Sequence, residues 1–124
     1  MNAFFNLPHI SEVKPFGPND APLFAELAGV LSRHGALDRF GVALLHTHFD
    51  MRDGEVLQEE TDEEARIQTI KPAIRAEVTE SHVTETTWRL SHDGVATTIC
   101  ICPTRDDPKT GETIHLGRHV SRGK

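Results

Sequence analysis

Tyrosine is absent from the chain, tryptophan occurs once, and cysteine occurs only twice among 124 residues. So few cysteines exclude a disulfide-stapled scaffold. Cys100 and Cys102 stand one residue apart in a strand-like run, which places them poorly for bridging each other, so reduced thiols are expected. Basic residues are in deficit, and the net charge of −6 argues against nucleic acid as the main partner. No apolar run approaches the ~20 residues of a membrane helix, so no membrane association is expected. Residues 1–14, MNAFFNLPHISEVK, also lack the charged start and long apolar middle of a secretory signal. A cytoplasmic protein is the expectation. Several catalytic signatures are missing as well: no Ser-His-Asp order, P-loop, GxGxxG, CxxC or helical HExxH occurs, and PKTGE lacks a strand-to-helix glycine loop for phosphate.

What is present fits one domain, residues 1–124, large enough to bury roughly two-thirds of its unfolded surface. Acidic residues crowd into 50–64, where Asp50, Asp53, Glu55, Glu59, Glu60, Asp62, Glu63 and Glu64 face only Arg52. That stretch could dock a basic protein surface. Residues 114–124, IHLGRHVSRGK, carry Arg118, Arg122 and Lys124 with no acid, a small basic tail.

Pro8, Pro15 and Pro18 among Phe4, Phe5, Leu7, Ile10, Val13 and Phe16 rule out a long helix over 1–19 and suggest an extended arm laid on the core. The next stretch, NDAPLFAELAGVLSRHG, predicts the main helix. Asn19 or Asp20 serves as cap, Pro22 lies in the first turn and Gly35 follows the end, with Leu23, Leu27, Val30, Leu31 and His34 as one stripe. His34 at that end suits the helix dipole.

FGVALLHTHF, residues 40–49, is apolar in succession and predicts a central strand covered on both faces. Asp53-Gly54 prefers a two-residue hairpin turn, so the chain is expected to fold back there. Thr61-Asp-Glu-Glu matches a capping box, leaving residues 62–70 either a short helix or extended. PAIRAEVTE alternates like a half-buried strand, and Asp93-Gly94 predicts a second hairpin between TETTWRL and VATTICI. A two-residue turn there would set Trp88 opposite Ile99 and put Trp88, Leu90, Ile99 and Ile101 on the core face. Together these elements predict an α+β domain. One main helix packs on an antiparallel sheet of about five strands built from hairpins, with a core at 20–102 and a loop and flexible tail at 103–124.

Two histidines at i, i+2 project in parallel from a strand, about 6 to 7 Å apart at Cα. The expected Asp53-Gly54 register puts His48 opposite Glu59 and gathers His46, His48, Glu59 and Arg52 on one face. Three readings of that face stay open. Two imidazoles and a carboxylate can chelate Zn²⁺ or Fe²⁺. A carboxylate beside a histidine can move protons or sense pH. Partly buried histidines can also simply be satisfied by backbone or carboxylate. A second cluster, Cys100, Cys102, His115 and His119, approaches Cys₂His₂ zinc-finger spacing. It departs from that pattern in the single residue between its cysteines and in Gly117, which weakens a helix between its histidines. His82 and His92 flank turns and are expected in solvent.

The HxH pair is also comparable with the cupin motif, but Glu55 falls seven residues past His48 and the flanking glycines do not match. RFGVALLHTHFDMRDGE, with PAIRAEVTESHVTETTWRL after it, resembles small proteins of Gram-negative bacteria. That resemblance implies no particular activity. The expected function is a non-enzymatic domain, monomer or homodimer, that binds a small molecule or a protein through the face bearing His46 and His48 and needs no cofactor. A metal-dependent enzyme using His46, His48 and Glu59 is the alternative.

Overall fold

The computed structural model describes residues 3–106, 110 and 113–115. The chain divides into two compact units, residues 7–49 and residues 50–124 with 1–6.

In the first unit a short 3-10 turn, Pro18–Asp20, leads into helix α1, Ala21–Arg33. The Asp20 carboxylate accepts a hydrogen bond from the Gly17 amide at 2.9 Å, closing the turn that starts the helix. The end is set by Gly35, whose φ of 63° belongs to the left-handed region. The Ala36 amide reaches back to the Leu31 carbonyl at 2.7 Å and the Gly35 amide to Ser32 at 3.0 Å, a Schellman closure. His34 caps this end, as the sequence suggests. The expected apolar stripe stays largely open: Leu23, Val30 and His34 are exposed, and Leu27 and Leu31 are half-buried.

FGVALL does not form the expected central strand. Phe40, Val42 and Leu44 are exposed, and among the described residues the only pairing in 40–49 is an isolated parallel bridge between His9 and Thr47. The Ile10 amide donates to the Thr47 carbonyl at 2.8 Å, and the Thr47 amide to the Pro8 carbonyl at 2.9 Å.

The second unit is a sheet of β1, Glu55–Asp62; β2, Ile67–Ile74; β3, His82–Leu90; β4, Ala96–Asp106; and β5, Thr113–His115. Four strands form its main path in the order β2-β1-β4-β3, and the short β5 pairs on β4. The α+β class holds, with two corrections: the main path has four strands, not five, and the sheet is mixed because β1 and β4 run parallel. Residues 3–6 belong to this unit as a turn, not as an extended arm. The Arg89 guanidinium holds the Ala3 and Phe5 carbonyls there, and Phe4 is buried.

The turn at Asp53-Gly54 exists, with Gly54 at φ 82°, but it feeds β1 forward and does not fold the chain back on residues 40–52. The hairpin partner of β1 is β2, joined through residues 63–66. Asp62 accepts from the Ala65 amide at 3.1 Å and Arg66 takes φ 60°, so the capping-box residues make a turn and, of the two alternatives for residues 62–70, the extended one holds from Ile67. With β2 on one side and β4 on the other, β1 has no edge left for residues 40–49. The expected PAIRAEVTE strand stops at Ile74, where a 3-10 turn, Arg75–Glu77, takes over.

The second hairpin forms, closed by residues 91–95, with the Ser91 amide bonded to the Val95 carbonyl at 3.0 Å. This loop is longer than the two residues expected, so Trp88 opposes Thr98 instead of Ile99. Irregularities between Glu85 and Thr87 and between Thr87 and Trp88 leave Thr86 and Ile99 outside the pairing. Ile99 and Ile101 are buried as expected, together with Val56 and Pro103, but Leu90 is 73% exposed and Trp88 is only half-buried.

Candidate functional site

In the unit of residues 7–49 the His9–Thr47 bridge fixes the backbone on which His46 and His48 stand. Alternation around Thr47 sends both imidazoles the same way, and their Nε2 atoms meet at 3.1 Å with rings nearly perpendicular. The hydrogen-bond partners assign the protons. His46 Nδ1 lies 2.6 Å from the Leu44 carbonyl oxygen, an acceptor, so that nitrogen carries hydrogen. In the neutral ring its Nε2 is then bare and accepts from His48 Nε2–H.

His9 holds the pair from behind. Its Nδ1 accepts from the Ser11 amide at 3.1 Å, which leaves the hydrogen on Nε2 to donate to the His48 carbonyl at 3.0 Å. Both His9 nitrogens are thereby occupied, so its role is to position His48. Nothing in the local sequence pattern around His9 signals a partner 39 residues away. His46 is half-buried and His48 exposed, so the pair opens to solvent.

Glu59, expected opposite His48, pairs instead with Ile70 on β2. The expected ladder therefore does not form; His46 and His48 belong to one unit, and Arg52 and Glu59 to the other. Arg52 is exposed, and its amide donates to the Glu55 carboxylate at 2.7 Å.

The Glu59 carboxylate accepts from Gln68 Nε2 at 3.1 Å and from the Thr86 hydroxyl. Thr86 is the residue left unpaired on β3, and the irregular ladder is what turns its hydroxyl toward β1. Parallel pairing of Leu57 with Cys100 sets Leu57, Glu59, Cys100 and Cys102 on one face, opposite Gln58 and Ile101. Neither cysteine is in a disulfide. Burial pushes the Cys100 thiol up from its ordinary value and Glu59 adds to the rise, against a bond from Thr87 that lowers it. Cys102 is raised by burial and then by Glu59. Both shifts favour the thiol over the thiolate, which is the reactive form.

The zinc-finger-like set cannot be assembled from the described residues. His115 lies on β5 opposite Thr104, its side chain is not described, and His119 lies outside the described residues. Among the described residues no three or more His, Cys, Asp or Glu come together to hold an ion.

The sheet unit also carries a shallow cleft of about 470 Å³ along β2 and the turn after it, lined by Glu55, Lys71, Pro72, Ile74, Glu77 and Glu80 among others. Sequence reasoning missed it, because it depends on β2 ending at Ile74. Buried Gln58 forms part of its floor, donating to Glu60 at 3.2 Å, and Glu60 pairs with Lys71 at 2.7 Å. No family model, curated protein or solved structure matches the chain.

Proposed function

We propose that this chain is a non-enzymatic binding domain that engages its ligand through the segment bearing His46 and His48. The observation that carries this reading is the meeting of the two imidazoles at 3.1 Å on a backbone pinned by His9 and Thr47, open to solvent. A pre-ordered pair of nitrogens is a recognition element, because its orientation is already fixed before the ligand arrives. The groups that would supply an enzyme's chemistry are engaged elsewhere. Glu59 is held by Gln68 and Thr86, and both thiols are held protonated. A cytoplasmic setting is part of the same reading.

The test is ¹⁵N–¹H NMR of the full chain against pools of small organic acids, phosphates, amines and peptides. Perturbations centred on residues 44–49 are expected. Perturbations confined to the cleft beside β2 would move the binding site there and overturn the reading.

A further inference from the structure

We propose that His46 and His48 chelate a divalent transition-metal ion of the copper, nickel and zinc class through their two Nε2 atoms. This rests on the reading that their segment is the binding face, and it names the ligand's chemistry.

The first support is the separation of the nitrogens. Donors about 2.0–2.1 Å from one ion are about 2.9 Å apart in square or octahedral cis positions and about 3.4 Å apart in a tetrahedron. The observed 3.1 Å lies between these values, so either geometry is reached by a small ring rotation. A second support is the far side of His46. Metal-bound histidines usually donate their other N–H to a carbonyl or carboxylate, and His46 Nδ1 already does so to Leu44. His46 thus presents a bare, backbone-oriented Nε2 before any ion arrives.

His48 needs one change. In the free pair its Nε2–H donates to His46, so binding moves that proton to His48 Nδ1, and both rings stay neutral with no net proton released. The His9 bond is to the His48 carbonyl, not its ring, so the backbone holds while the ring changes tautomer. Two protein donors do not close a structural cage, and the open positions go to water or to donors of a second ligand. Nitrogen donors rank Cu²⁺ above Ni²⁺ and Zn²⁺, while hard Mg²⁺ and Ca²⁺ prefer oxygen.

Ni²⁺ is the better probe than Cu²⁺, since it does not oxidise the two thiols. Titrated into the full chain, it should bind one to one by calorimetry and broaden NMR signals centred on His46 and His48. H46Q and H48Q should each weaken binding at least about tenfold with unchanged melting curves. The H115Q/H119Q double variant should leave affinity intact. Binding that survives H46Q and H48Q, broadening centred elsewhere, or none at tenfold excess Ni²⁺ would overturn the metal assignment. If Ni²⁺ fails while an organic ligand perturbs residues 44–49, the binding face stands without the metal, and if neither acts there both readings fall.

Discussion

Glu59→Gln should loosen the sheet and quicken the reaction of the two cysteines at the same time. The carboxylate takes one hydrogen bond from Gln68 on β2 and one from Thr86 on β3, so it ties β1 to its own hairpin partner and, past β4, to the second hairpin. Hydrogen bonds to a charged group contribute about 1.5–3 kcal/mol each when desolvated. Glu59 is only half-buried, and glutamine keeps one acceptor oxygen, so a total loss of about 1–2 kcal/mol is expected. In a chain of this length that lowers the melting temperature by roughly 3–8 °C. Removing the negative charge also removes one cause of the raised Cys100 and Cys102 values, so alkylation by iodoacetamide at pH 8.5 should speed up in the folded protein. Desolvation remains the larger cause and keeps both below the rate of a free thiol. Because Thr86 is the direct partner, T86V should give most of the stability loss, and E59Q should add little on top of it. If E59Q leaves both stability and alkylation unchanged, or if T86V and E59Q add fully, Glu59 is not the link between these strands.

Ile101 has no exposed surface and lies on the strand that pairs with both β1 and β3, so Ile101→Ala should cost about 2–5 kcal/mol and Ile101→Val about 0.5–1.5 by urea unfolding. Equal losses would show that the site is not tightly packed. Gly35→Ala meets open space but must adopt φ 63°, so about 1 kcal/mol should be lost from α1, read as helical circular dichroism on heating. A neutral or stabilising outcome would dissolve the Schellman closure. Asp93 accepts from the Ser91 hydroxyl and the Val95 amide, which hold its carboxyl below the ordinary aspartate value. A lowered value adds stability above the unfolded value and loses it as pH falls through the folded one. The Val95 amide signal should therefore titrate below the pH of a free aspartate and stop titrating in D93N, and titration at the ordinary pH would remove this account of the turn.

Local signals were legible where one local cause decides. Pro22, Gly35 and the spacing of Leu23, Leu27 and Leu31 place α1 within a residue or two, because helix ends are set by neighbouring atoms. Asp93-Gly94 marks a real turn for the same reason. The register beyond it slipped, since a longer loop and two irregularities in the ladder depend on what β3 meets across the sheet. Asp53-Gly54 misled for a deeper reason. A turn dipeptide says that the chain bends but not which strand it will meet, and β1 had two better partners, β2 through a four-residue loop and β4 in parallel. Parallel pairing leaves no local mark in a sequence, so the one feature that makes the sheet mixed was invisible.

The histidine pair shows how a wrong register can still bring the right two side chains together. Two histidines at i, i+2 share a direction wherever the backbone between them is extended, whether that extension comes from a hairpin or from one bridge to Pro8 and His9. The spacing was therefore enough to pair His46 with His48, while Glu59 depended on a ladder that did not form. What could not be read was the tautomer of His46, because it is set by the ring reaching back to the Leu44 carbonyl. That tautomer decides the chemistry. With the hydrogen on His46 Nδ1, the pair keeps one bare nitrogen aimed at its neighbour and needs no carboxylate to orient it. The pairing of the two imidazoles therefore does not depend on the ladder that would have set Glu59 opposite His48.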